Sequence, residues 1–148
     1  EIRLSLVGSE MCIRDRVCNV TIREPGLPTS WTDKDLLEHY NTDVLGAFRC
    51  VKEVLPSQIA QGIGTILFTG GGFSIHPMAE YSCVSIDKAA LRSLACTLHQ
   101  ELKEKGIFVG IVTIMGNVVP ETHYAPEKIA EVYWKMYQER KVWEYIYQ

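Results

Sequence analysis

The sequence predicts an α/β fold, a parallel sheet with flanking helices, and three observations predict it. The first is the stretch Gly64 to Lys105. It opens with the short apolar run Thr65-Ile66-Leu67-Phe68-Thr69, passes through Gly70-Gly71-Gly72 and a loop, and continues as a long helical pattern around Lys88. Strand, glycine turn, loop and helix in that order belong to a sheet whose site lies at the carboxyl ends of its strands. The second is the unbroken apolar run Ile107 to Ile114, the signature of a strand covered on both faces. The third is the alternation of strands with helices along the chain, which calls for right-handed crossovers between parallel strands. At 148 residues one domain with a substantial core is expected.

The elements follow in order. Residues 1–16, EIRLSLVGSEMCIRDR, alternate briefly at Ile2, Leu4 and Leu6 and then lose the pattern at Gly8 and the charges of Glu10, Arg14, Asp15 and Arg16. The stretch resembles a translated sequencing-adapter read-through; the other reading is an irregular first strand. Such scars stay out of fold reasoning, so the domain is taken as 17–148, with Val17 its first residue. Val17 to Ile22 is β-rich and is broken by Pro25-Gly26-Leu27-Pro28. Thr29, Ser30 or Thr32 can cap the next helix, with Asp33 and Asp35 at its positive end. Leu37, Tyr40, Val44, Phe48, Val51 and Leu55 form one helical stripe, which Pro56 stops or kinks. Gln58 to Gly64 links to the central strand.

After the glycine loop, Leu91, Leu94, Leu98 and Leu102 make the second helical stripe, with Lys103 and Lys105 at its negative end and Gly106 as its cap. A loop from Asn117 to Ala125 follows the Ile107–Ile114 strand. Pro126 then opens a third helix with Ile129, Val132, Tyr133 and Met136 on its buried side. The tail, Val142 to Tyr147, reads as an edge strand or a docking segment.

Composition narrows the function. The net charge is −3, which gives no basic face for nucleic acid, and no apolar run approaches a membrane span. Five cysteines without CxxC spacing read as reduced thiols of a cytoplasmic protein. No signal peptide is visible. His39, His76, His99 and His123 are scattered without metal-ligand spacing and read as surface or loop histidines. Neither GxSxG nor a P-loop occurs, and the lone GGG serves equally as a turn for close approach. Lys88 is the notable charge. A cation near a helix start opposes the dipole, so it either serves a site, holding a ribose hydroxyl or lowering a hydroxyl's pKa, or is a solvated partner of Asp87 or Glu80.

Five segments in order and spacing carry a resemblance to a family. Cys18-Asn19-Val20-Thr21 falls where the family has an NAG turn. Thr42 to Pro56, TDVLGAFRCVKEVLP, is similar to its helix NxxGxFxxxxxxLP. GTILFTGG matches its fifth strand, Lys88-Ala89-Ala90 the end of its YxxxK-A-A segment, and Ile107 to Gly116 its sixth strand and PG turn. Residues 17–120 resemble the C-terminal two-thirds of the short-chain dehydrogenase/reductases, Rossmann-fold enzymes that use NAD(P). The resemblance implies a partial Rossmann-like sheet, the C-terminal part of a doubly wound fold.

It also exposes departures. Val84 stands at the catalytic tyrosine's position, Gly71 at the serine's, Asp43 at the relay asparagine's and Pro120 where a cofactor-binding threonine is frequent. Valine cannot donate the proton that a phenol supplies as hydride arrives. The pattern is similar to a divergent branch that keeps Lys88 and loses the tyrosine. Tyr81, two helical turns earlier and about 10 Å away along the axis, is a surrogate acid; Ser85, Ser74 and Thr69 are weaker ones.

The resemblance implies a role for each matching residue. Lys88 and Asp43 by position, with Tyr81 added as the surrogate acid by helical spacing, are the expected catalytic set, and Asn19, Lys88, Gly116 and Val118 would hold NAD or NADP. The substrate would be a small alcohol or carbonyl compound. Tyr124, Tyr133, Trp134, Tyr137 and Trp143 would wall the substrate side, or else serve as ordinary packing. The family's first βαβ unit, with its dinucleotide loop, would precede Val17, which makes the chain N-terminally truncated, incomplete as an enzyme and poorly stable alone. Family members pair through the helices matching Asp33–Leu55 and Ser82–Lys105, so a homo-oligomer is expected. The alternative function is a non-catalytic nucleotide-binding or subunit-interaction module on the same scaffold.

Overall fold

The computed structural model describes residues 14–148. Four strands form one sheet in the order β1 (Asp15–Cys18), β2 (Gly64–Gly71), β3 (Ile107–Ile114), β4 (Glu144–Tyr147), every neighbouring pair parallel. Between them run α1 (Asp33–Tyr40), α2 (Gly46–Gln61), α3 (Ser82–Leu102) and α4 (Pro126–Glu139). The α/β parallel sheet with flanking helices read from the sequence is the fold observed.

The core follows from the alternation of side chains along buried strands. On one face Ile66, Phe68, Ile107, Val109 and Ile111 pack with Val51 of α2 and Leu91, Ala95, Leu98 and Leu102 of α3. On the other, Leu67, Phe108, Val112 and Ile114 meet Ile129 and Met136 of α4. A strand that must supply both layers has no polar face, so β3 is buried at every position.

Three expectations need adjustment, and one open alternative is decided. The first strand runs Asp15–Cys18, not Val17–Ile22. Its register ends with Cys18 opposite Phe68. Beyond it the buried Asp43 carboxylate accepts the Thr21 hydroxyl and, at 2.8 Å, the Ile22 amide, which draws the chain off the sheet. Residues 14–16 therefore belong to the described fold, while 1–13 of the adapter-like stretch lie outside the described residues.

Second, the single helix to Leu55 is two helices joined by a π-turn at Asn41–Leu45. Third, Pro56 neither stops nor visibly ends α2, which continues to Gln61 and terminates at Gly62 with φ +66°. A proline lacks the N–H that would reach the carbonyl four residues back; Pro56 is exposed, so water can serve that carbonyl. Fourth, the tail is an edge strand. Glu144 at its start accepts two 2.7 Å hydrogen bonds from Arg92 of α3 and one of 2.7 Å from Thr113 of β3. Arg92 first, and Thr113 with it, hold the Glu144 carboxyl below its ordinary range.

Among the three capping candidates, Thr32 caps α1. Its side chain accepts from the Asp35 amide at 3.2 Å while Asp35 accepts from the Thr32 amide at 2.9 Å, a reciprocal capping box. Gly106, at φ +77°, turns the chain from the end of α3 into β3. A Cβ there would collide with the Gly62 carbonyl oxygen, so both backbone conformation and close approach require glycine.

Candidate functional site

The carboxyl ends of β1, β2 and β3 open into a cleft of about 340 Å³ lined by Val17, Asn19, Thr69, Ile114, Val118, Pro126, Ile129, Ala130 and Tyr133. Its walls are mainly aliphatic, with three polar groups: the Asn19 amide and the hydroxyls of Thr69 and Tyr133. Those two hydroxyls are 2.5 Å apart. Burial pushes the Tyr133 phenol up to about 12, with the Thr69 hydrogen bond opposing.

Lys88 reaches this place from the opposite face of the sheet. It projects from the second turn of α3, is 7% exposed, and its Nζ donates to the Thr69 carbonyl oxygen at 3.0 Å. The β1 ladder stops at Phe68, which leaves that carbonyl free to accept. The solvated-lysine reading is thereby overturned. Burial lowers the Lys88 pKa, and the negative charges of Asp43 and Asp87 oppose that fall.

Behind Lys88 lies a buried cluster. Asp43 is 2% exposed and Asp87 2%. Asp87 Oδ2 has no hydrogen-bond partner. Burial, then the nearby Asp43 charge, push the Asp87 carboxyl up to about 6, against the pull of His39 and Lys88. His39, read from sequence as a surface or loop residue, is buried beneath Trp31; its Nε2 lies 3.5 Å from the Glu24 carboxylate and its Nδ1 is unpartnered. The cluster forms because α1, the π-turn and α3 pack together. The available signal was the four-residue step from His39 to Asp43, one helical face, alongside the Asp87-Lys88 pair.

The remaining predicted residues are dispersed. Asn19 and Val118 line the cleft. Asp43 holds the loop after β1 instead of lining it. Tyr81 stacks on Phe73 at 5.5 Å, with the Arg23 guanidinium 5.2 Å from its ring centre. Gly116 lies under Tyr124, whose ring a Cβ at that position would strike. Of the five aromatics, Tyr133 reaches the cleft, Tyr124 packs against His123 and Tyr147, and Trp134 stacks exposed on Tyr137. Trp143 packs on the α3 side of the core, over Arg92. The residues at the departed positions are also placed. Val84 is buried at 3% exposure, and a Cβ on Gly71 would stand 3.7 Å from Lys88 Cγ, ordinary contact distance.

The family model for short chain dehydrogenases matches residues 16–128. The chain belongs to the short chain dehydrogenase family. Solved structures agree on the fold. A bulky-bulky ketone specific alcohol dehydrogenase from Comamonas testosteroni aligns with TM-score 0.76 and 18% identity, over 90% of this chain and 54% of its own. A short-chain dehydrogenase from Sphingobium yanoikuyae, in complex with NADPH, aligns with TM-score 0.77 and 19% identity, over 89% and 56%. One from Rhodopseudomonas palustris gives TM-score 0.78, 23% identity, 91% and 61%. The chain thus spans between 54% and 61% of the length of these three. Among the described residues no helix is long and apolar enough to cross a membrane, and no group of three or more His, Cys, Asp or Glu is placed to hold a metal ion.

Proposed function

We propose that the chain is the catalytic-lysine portion of a nicotinamide-dependent oxidoreductase of the cytoplasm, acting on a small alcohol or carbonyl compound. One observation carries the reading: Lys88 Nζ is fixed on the carbonyl of Thr69, a residue that itself lines the cleft holding Asn19 and Val118. Aliphatic walls with a few convergent polar groups suit a cofactor ring and ribose, and the cleft offers an amide and two hydroxyls among aliphatic side chains. NAD or NADP, when bound, would supply or accept the hydride. A solved relative was crystallised with NADPH and another, a 4-hydroxyisoleucine dehydrogenase, with NADH, which supports the cofactor class without choosing within it.

In this reading Asn19 and Val118 hold the cofactor's reactive end. Lys88, buried, sets its amino group on the main-chain carbonyl of Thr69, one residue of the cleft wall. Burial lowers the Lys88 pKa, and Asp43, then Asp87, oppose that fall. Tyr133 is the phenol that lines the cleft, but a group pushed to about 12 is a poor acid near neutrality. Tyr81, the expected surrogate acid, lies outside the cleft lining, stacked on Phe73 with Arg23 against both rings.

A second reading, nucleotide binding or subunit interaction without turnover, is favoured by one observation. Val84 is packed into the interior at the position where the family keeps its phenol, so no donor enters from there. Pairing with a second copy has its own support in Leu37, Tyr40, Phe48 and Ile86, large apolar residues exposed on α1, α2 and α3.

The test is NADH and NADPH binding by fluorescence, followed by nucleotide oxidation with a panel of aldehydes and ketones, wild type against Lys88→Ala. Turnover that falls at least about 100-fold in the variant supports the enzyme. Binding without turnover supports the module. Turnover untouched by Lys88→Ala removes the lysine from the mechanism.

A further inference from the structure

Two cysteines on different elements meet at the start of the fold. Cys18 ends β1 and packs against the α2 and α3 side of the core. Cys50 lies in the second turn of α2. Both are free thiols of intermediate exposure. The Arg16 guanidinium donates to Cys50 Sγ at 3.2 Å. Arg16 and Cys18, two residues apart on β1, share one face of the strand, and Cys18 packs on the cluster that holds Val51 and Ala47, the neighbours of Cys50 on α2, so the arginine that meets Cys50 brings the two thiols to the same place. None of these three residues takes part in the cleft lining or the buried cluster described above.

We propose that Cys18 and Cys50 are a peroxide-sensitive dithiol that closes to an intramolecular disulfide, with Arg16 as the residue that activates it. A cation beside a thiol favours the thiolate, the reactive form. Proximity of a second, partly exposed thiol gives the oxidised sulfur a partner within the chain.

The roles divide by environment. Burial, then the neighbouring Cys50, hold the Cys18 thiol up at about 11, so Cys18 is the resolving thiol and Cys50, against Arg16, the attacking one. The Cys50 thiolate attacks a hydroperoxide: an S–O bond forms, the O–O bond breaks, and the leaving oxygen departs as water or alcohol after taking a proton. The Cys18 thiol then attacks the Cys50 sulfur and gives up its proton: an S–S bond forms, the S–O bond breaks, and the hydroxide takes that proton and leaves as water. Two thiols lose two electrons and the peroxide is reduced by two. The link pins the end of β1 to α2 one residue before Asn19, at the mouth of the cleft. It does not depend on what the cleft binds.

The experiment treats the reduced chain with hydrogen peroxide, alkylates remaining thiols after unfolding, and maps the digest by mass spectrometry. The expected product is a Cys18 peptide joined to a Cys50 peptide, lighter by two hydrogens, with Cys83 and Cys96 alkylated. Cys18→Ser leaves Cys50 as a sulfenic acid that dimedone captures. Arg16→Gln slows the reaction about three- to tenfold and leaves the product unchanged. Cys18 and Cys50 recovered separately alkylated, or joined to Cys12, Cys83, Cys96 or a second chain, overturns the proposal. The wild-type map decides by itself, so a variant that fails to fold leaves the proposal falsifiable.

Discussion

Replacing Asp87 by asparagine isolates the energetic cost of the buried cluster. Asp87 is raised from its ordinary 3.8 to about 6, chiefly by burial and secondly by Asp43, with His39 and Lys88 pulling the other way. Its folded-state pKa lies above the unfolded one, the reverse of the common carboxylate case. The folded chain therefore binds the proton more tightly, and stability falls as pH rises. Below about pH 4 the side chain is neutral in both states and costs nothing. Between about pH 4 and 6 the cost grows, and above that range it is constant. The ionisation equilibrium differs by about two powers of ten, and at about 1.4 kcal/mol each the full cost is about 3 kcal/mol. Asparagine keeps the shape and cannot ionise.

The assay is urea unfolding of wild type and Asp87→Asn in a stabilising osmolyte, from about pH 4 to about pH 8, followed by tryptophan fluorescence. The quantity read is the change in their difference. Packing differences between carboxyl and amide do not depend on pH and drop out. The variant should gain about 2.5 kcal/mol of that on wild type between about pH 4 and pH 7, most of it by about pH 6. A difference that stays flat, or moves the other way, would refute the claim that Asp87 is charged at a loss inside the fold.

Four further outcomes are expected. Gly106→Ala should destabilise the chain by about 1–3 kcal/mol, measured by denaturation, because its Cβ meets the Gly62 carbonyl at φ +77°; Gly71→Ser, with Lys88 methylenes at ordinary contact distance, should stay within about 1 kcal/mol of wild type. Thr32→Ala removes the capping box of α1 and should cost about 1 kcal/mol. Glu144→Gln weakens the Arg92 pair and should cost about 1 kcal/mol near neutral pH. The Glu144 pKa is lowered in the fold, so its contribution is present above the unfolded value and disappears as pH falls through the folded one; by acidic pH variant and wild type should converge.

How much of this was legible depends on how local the cause is. Strand β3 was legible because two covered faces demand an unbroken apolar run. The α3 stripe and the Gly106 turn were legible for the same kind of reason, each residue answering to its immediate neighbours. Strand β1 was misplaced because a strand beginning Asp15-Arg16 carries no apolar signal. Its end is set by Asp43, more than twenty residues away in sequence. The passage of α2 through Pro56 depends on which face that residue shows to water, a tertiary fact. The buried role of His39 arises where α1 meets α3, and its one sequence signal, the four-residue step to Asp43, does not say which helix covers that face. Lys88 could be singled out by its place near a helix start. Its anchor could not, because the anchor is a main-chain carbonyl exposed by the early end of β1.

Anchoring on a main-chain carbonyl makes the lysine tolerant of change around it. Side-chain partners at positions 71 and 84 can be exchanged one substitution at a time. The carbonyl of residue 69 is present whatever amino acid stands there. The ammonium of Lys88 is therefore addressed by the path of the polypeptide, and a variant library that randomised every neighbouring side chain would still leave that hydrogen-bond acceptor in place.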